Sequence, residues 1–167
     1  MEAAPQNEKF ISLRKWFEGL NQLRVRFGGG TGPLPAPIVE KAEGLVRELF
    51  AGDSPDVLLH GDLHHYNVLD SERGWLVIDP KGVIGPAGYE TGPLLINPFD
   101  LLERPDPVRL TQRRIAVLSE RLGLEREIIR AWGIAHAVLS AWWSVDDQDG
   151  WGQHSIRCAE VIEAADT

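Results

Sequence analysis

A chain of 167 residues, 43% hydrophobic and 25% charged, can bury one real core and is too short for two ordinary domains. Its formal net charge of −8 disfavours nucleic acid as a partner, since phosphate-backbone binding runs on Lys and Arg, and suits a cationic ligand better. The lone cysteine, Cys158, excludes an internal disulfide and a multi-cysteine metal site, which fits a reducing, cytoplasmic setting.

Residues 1–10 have neither a basic n-region nor an apolar h-region, and nowhere do about 18 apolar residues run together. Neither an export signal nor a membrane span is expected. Apolar residues at Phe10, Leu13, Phe17, Leu20 and then Leu23 or Phe27 mark one face of an amphipathic helix, which Gly28-Gly29-Gly30 ends. Residues 28–37, GGGTGPLPAP, are a breaker cluster and read as a loop. A nucleotide-binding glycine loop would need a Lys-Ser/Thr pair where Pro33 stands, or strands where helical patterns stand. A second helix is predicted from Pro37 to about Phe50, with Ile38, Ala42, Leu45 and Leu49 on one face and Gly52 as its stop. After the turn Asp53-Ser54-Pro55, Val57-Leu58-Leu59 is compatible with a short buried strand.

Residues 67–69 and 75–78 are β-prone, and the link Ser71-Glu72-Arg73-Gly74 predicts a hairpin with Gly74 in a left-handed position. Residues 82–93, GVIGPAGYETGP, are too rich in Gly and Pro for regular structure and are expected to be a loop. Residues 94–102 read as a helix broken at Pro98. Asp106-Pro107 opens a helix to about Leu122 that Gly123 ends. Ile128, Ile129, Trp132, His136, Leu139 and Trp143 form a further helical stripe, closed by residues 146–150, and a last helix spans Gln153 to about Ala165. The expected fold class is α+β and mainly helical, one domain over residues 1–167 with a small central β-hairpin.

The chemistry concentrates in residues 57–81, VLLHGDLHHYNVLDSERGWLVIDPK. His60-Gly61-Asp62, with four residues between Asp62 and Asn67, has the H-x-D-x-x-x-x-N spacing of a phosphoryl-transfer catalytic loop. Such transfer needs an acceptor hydroxyl held in line and relieved of its proton, a task for a carboxylate such as Asp62. It also needs magnesium on the nucleotide phosphates, held by one or two hard oxygen ligands, which Asn67 and Asp79 supply. A hairpin between them would bring both to the same open end.

The runs LLHGDLHHYNVL, WLVIDPKGVIG and PAGYETGPLLINP resemble the aminoglycoside phosphotransferase superfamily, in particular its streptomycin 6-kinase (aminoglycoside/hydroxyurea resistance kinase) group. The likeness covers nearly the whole chain and implies a protein-kinase-like C-terminal lobe. It implies ATP as cosubstrate, Mg2+ as cofactor and a small cationic aminoglycoside as substrate. Carried onto these residues, it makes Asp62 the catalytic base, Asn67 and Asp79 the magnesium ligands, and His60 a brace of the catalytic loop. Glu90 stands where the family usually has Asp after Tyr, as a second brace, although the surrounding GPAGYE departs from the family's more usual GDPAYD. A complete member also has an N-terminal lobe with a glycine loop, a nucleotide-contacting Lys and a helix Glu. The 59 residues before His60 read as helix, loop and helix, so the ATP-binding lobe is expected to be missing from this chain.

Plainer readings stand beside these. His64 and His65 read as loop-shaping hydrogen-bond partners rather than chemical groups, and Trp132, Trp142 and Trp143 as core or interface rather than a sugar-stacking platform. Asp146, Asp147 and Asp149 are either a solvated helix end or contacts for a cationic substrate. Two other functions remain open on the sequence: a non-catalytic kinase-lobe remnant, and a metal-dependent hydrolase prompted by His60, Asp62, His64 and His65. The order H-G-D-L-H-H departs from the H-x-H-x-D-H of a dinuclear zinc site.

Overall fold

The structure is a computed structural model in which residues 10–147, 150 and 152–166 are described. Its first half holds strand β1 (Ile11–Ser12), helices α1 (Leu13–Arg26) and α2 (Ala36–Ala51), and strands β2 (Asp56–Leu59), β3 (Val68–Leu69), β4 (Leu76–Val77) and β5 (Val83–Pro86). Helices α3 (Thr91–Leu95), α4 (Pro107–Leu122), α5 (Arg126–Asp147) and α6 (Gly152–Ala164) follow, with 3-10 turns at His65–Asn67, Ala87–Glu90 and Phe99–Glu103. The architecture is mainly helical, as the periodicity predicts, with two small sheets. No helix among the described residues is long and apolar enough to cross a membrane.

α5 is the spine. Nine consecutive residues, Ala131 through Leu139, are buried, the mark of a helix enclosed on all sides rather than amphipathic. α1, α2, α3, α4 and α6 all pack on it. The predicted apolar faces hold: Leu13, Phe17, Leu20 and Leu23 of α1 and Ile38, Ala42 and Leu49 of α2 are all core residues. Asp106 caps α4 as predicted, its Oδ1 accepting from Arg109 N at 3.1 Å, and Gly123 ends that helix in a left-handed conformation at φ 67°. The hairpin is present, β3 pairing antiparallel with β4, and Gly74 has φ 88°.

Two expectations are corrected. The first helix begins at Leu13 rather than Phe10, because Ile11 and Ser12 pair in parallel with Val83 and Ile84 and Ser12 Oγ accepts from Arg14 N at 3.3 Å to cap the helix. The second correction is larger. Residues 82–93 are not an irregular loop, since β5 is the central strand of a three-stranded sheet ordered β1-β5-β2. Its glycines mark close approach rather than a break in structure. A Cβ at Gly85 would lie 2.7 Å from Leu13 Cβ, one at Gly88 2.9 Å from Trp132 Nε1, and one at Gly92 2.7 Å from His136 Cβ.

Replacing Gly85 with Ala therefore forces α1 away from the sheet. The expected cost is about 1–3 kcal/mol of stability, read as a lowered urea-unfolding midpoint at unchanged m-value.

Candidate active site

β2 carries the chain out of the core at Leu59, and the next residues turn sharply. Gly61 sits at φ 85°, and a Cβ there would meet Val83 Cγ2 at 3.0 Å, so the middle position of His60-Gly61-Asp62 needs glycine. His60 Nδ1 accepts from Asp62 N at 3.2 Å, while its Nε2–H donates to Ile78 O at 2.8 Å. These two partners fix the ring's tautomer and tie the loop to the residue before Asp79. Backbone bonds repeat the tie: Lys81 N donates to His60 O at 2.7 Å, and Ile78 N donates to Asn67 O at 3.0 Å.

Three side chains surround the Asp62 carboxylate and its loop. Asn67 is buried and donates Nδ2 to Asp62 O at 2.9 Å, which leaves Oδ1 as the atom that could ligate a cation. His64 Nδ1 accepts from Tyr66 N at 3.3 Å, and its Nε2 lies 3.4 Å from both Asp62 Oδ1 and Asn67 Nδ2. Glu90 Oε1 accepts from Gly61 N at 3.1 Å, beneath the loop, and its Oε2 is buried without a hydrogen-bond partner. Burial raises the Glu90 carboxyl above its ordinary range, against backbone donation from Gly61 and His60 that lowers it.

Asp79 closes the hairpin in a left-handed conformation, φ 58°, uncommon outside glycine and tolerated best by Asn and Asp. Its carboxylate is largely exposed and takes a hydrogen bond from Lys81 Nζ at 2.6 Å. That ammonium holds the Asp79 carboxyl below the usual range, and Asp79 in turn raises Lys81. Lys81 Nζ also lies 3.7 Å from Asp62 Oδ2. The structure thus brings His60, Asp62, Asn67, Asp79 and Glu90 together at one end of the hairpin, and adds Lys81.

The donor set fits magnesium: a neutral amide oxygen with its nitrogen already committed, and an exposed carboxylate. It does not fit a zinc hydrolase. Both ring nitrogens of His60 are engaged by backbone, and among the described residues no three His, Cys, Asp or Glu side chains gather to hold a metal.

Asp62 opens into a cavity of about 550 Å³, lined also by Lys81, Trp16, Trp143, Phe99, His136, Asn97 and Ser140. Trp132 and Trp142 are core, as the sequence suggests, at 1% and 3% exposure, but Trp143 is half-buried and stands edge-to-face with Trp16 at 5.4 Å in the cavity wall. Asp146 and Asp147 are not brought to it. They end α5 on the surface, where Asp146 pairs with Arg26, and Asp149 lies outside the described residues. The sequence reading gave Lys81 no role, its only mark being its place two residues after Asp79, and it read His136 and Trp143, seven residues apart on one helical stripe, as packing rather than as the cavity wall they form.

With this geometry in view, the family model described as aminoglycoside/hydroxyurea antibiotic resistance kinase matches residues 2–148. The chain belongs to that family. It is 34% identical to a streptomycin 3''-kinase of Klebsiella pneumoniae over 140 residues, 81% of this chain and 49% of that protein. It is 38% identical to a streptomycin 6-kinase of Streptomyces glaucescens over 104 residues, 61% of this chain and 34% of that protein. A hydroxyurea phosphotransferase of Kitasatospora aureofaciens is 38% identical over 114 residues, 67% of this chain and 32% of that protein. The chain thus spans between about a third and a half of the length of these relatives. No solved structure matches it.

The His136 ring beside this cavity makes a measurable prediction. Tyr89 OH and His136 Nδ1 share a hydrogen bond at 2.9 Å, and burial, with a smaller contribution from His64, lowers the imidazole to about 3. The unfolded ring titrates near 6.5, so between these values the unfolded chain binds the extra proton. Stability from this ring is complete above about pH 6.5 and falls as the pH drops toward 3, by up to about 1.4 kcal/mol per pH unit. Urea unfolding from pH 7 to pH 4.5 is expected to show this slope, and His136→Gln to remove that share of it.

Proposed function

We propose that the chain is the catalytic lobe of an ATP-dependent phosphotransferase that transfers a phosphoryl group to a hydroxyl of a small antibiotic, with streptomycin as the acceptor to test first. The observation that carries this reading is the convergence of Asp62, Asn67 and Asp79, stitched by hydrogen bonds of His60 and Lys81, with Asp62 lining the cavity. Family membership supports the reaction class, and the streptomycin and hydroxyurea kinases it resembles support an antibiotic acceptor.

In this reading the acceptor lies in the aromatic cavity with its hydroxyl against Asp62. Asp62 takes the hydroxyl proton as that oxygen forms its bond to the γ-phosphorus of ATP, and the bond to the leaving ADP oxygen breaks. His60 holds Asp62 through its backbone N–H, and Glu90 holds Gly61, so the carboxylate meets the acceptor without rearrangement. Asn67 Oδ1 and the Asp79 carboxylate would hold magnesium, which supplies charge neutralisation on the phosphates when bound. His136 is neutral through the physiological range and offers the cavity a hydrogen-bonding group without a charge.

Since the chain spans half or less of the relatives' length, the part of the reaction assigned to its own residues is acceptor binding, deprotonation and metal holding. The N-terminal nucleotide lobe that the family resemblance implies lies outside this assignment.

Two measurements on Asp62→Asn test the reading. Transfer of labelled phosphate from ATP to streptomycin should fall by roughly 10²- to 10⁴-fold, while streptomycin affinity by calorimetry and the circular dichroism spectrum stay near wild type. Wild-type transfer in the variant would remove Asp62 as the base, and a wild-type chain that gives no heat with streptomycin would remove streptomycin as the acceptor.

A further inference from the structure

One charged side chain at the site has no task in the proposed chemistry. Lys81 Nζ lies 2.6 Å from Asp79 Oδ2 and 3.7 Å from Asp62 Oδ2, so a single ammonium spans the base and a metal ligand. Its backbone is fixed from both sides. Lys81 N donates to His60 O at 2.7 Å, and Gly82, at φ 65°, turns the chain into β5. Any movement of the ammonium is therefore a movement of the side chain alone, and a four-carbon stem with a compact point charge allows it.

A metal ion on one oxygen of Asp79 and the ammonium on the other would repel across a single carboxylate. A dication there repels the ammonium twice as strongly as a single charge would at the same separation. When the Asp79 carboxylate turns to a metal ion, that repulsion drives Lys81 off it, and the acid already within reach is Asp62. That position borders the cavity, which Lys81 itself lines. There the ammonium faces the oxygen that loses its proton and the phosphoryl group that approaches it.

We propose that Lys81 is an exchangeable counter-ion, bridging Asp62 and Asp79 before metal binding and closing on Asp62 and the transferred phosphoryl group afterwards. This rests on Asn67 and Asp79 being the magnesium ligands. The bridge keeps two carboxylates adjacent without repulsion, and its cost is competition with the metal. Removing the lysine should therefore make Mg2+ bind more tightly, whereas removing a residue that merely supports the fold would weaken binding.

The test is a Mg2+ titration at constant ionic strength, followed by amide NMR of the 167-residue chain, in the wild type, Lys81→Met, Lys81→Arg and Lys41→Met. Lys41 pairs with Glu163 between α2 and α6, so its loss controls for net charge. Shifts at Asn67 and Asp79 should show Mg2+ binding to Lys81→Met roughly threefold to tenfold tighter than to wild type, with Lys81→Arg and Lys41→Met close to wild type. Equal or weaker binding in Lys81→Met, or equal tightening in Lys41→Met, overturns the counter-ion role and leaves the metal ligands standing. Absence of Mg2+-dependent shifts at Asn67 and Asp79 in all four proteins overturns both.

Discussion

The hydrogen bond between Tyr89 and His136 is the constraint on which the site depends. Both groups are buried, Tyr89 at 0% and His136 at 5% exposure, and each makes the other's burial tolerable by satisfying a polar atom that has no water. Burial raises the Tyr89 hydroxyl well above its ordinary range and lowers the imidazole, so the phenol keeps its proton and the ring stays neutral, and the pair shares one hydrogen bond between two uncharged groups. Around Tyr89 pack Trp16, Phe17 and Trp132, edge-on or nearly so. The residue after this anchored tyrosine is Glu90, and its position relative to Gly61 follows from it.

Geometry at the acidic centre is held in a second way, by the main chain. Four short segments, residues 60–62, 67, 78–79 and 81, exchange backbone and side-chain hydrogen bonds over a few residues of hairpin. A loop so cross-tied loses little entropy when it meets a substrate, which is the requirement for chemistry made mostly of positioning. The strain of Asp79 at positive φ belongs to the same design. The bonds on either side of it hold the carboxylate at the hairpin's open end in a conformation an isolated aspartate seldom adopts.

Much of this was legible in the sequence, and the parts that were not share a cause. α1, α2, α4, α5 and the hairpin each carry a local signature, an apolar period, a cap or a turn residue, that needs no partner to be read. Asp62, Asn67 and Asp79 were readable because their spacing is itself the geometry. β5 was not, because Gly85 has two meanings: a breaker when read along the chain, and a close contact when Leu13 lies against it. Lys81 was hidden for a related reason. Nothing local says that its side chain folds back across Pro80 to Asp79 and on toward Asp62. The link between Glu90 and Gly61 was reached through family likeness, and the separation of 29 residues carries no period that would have revealed it.

The chain's acidity, which from composition alone suits a cationic ligand, is not concentrated where the acceptor would sit. Among the described residues Asp62 is the one carboxylate lining the cavity, and Lys81 balances it. The acids expected to attract a cation, Asp146 and Asp147, stand at the surface end of α5, and one of them is already paired with Arg26. What the cavity offers is ring surface: Trp16 and Trp143 at right angles, and Phe99 with Tyr66 stacked on it at 5.3 Å. Aromatic faces accept both the C–H face of a sugar ring and a cationic group, so a cationic sugar is compatible with this wall without any cluster of carboxylates. Selectivity in such a cavity comes from shape and from the few polar groups of Asn97, Ser140 and His136, and the net charge of −8 governs how the chain behaves in solution more than what it holds.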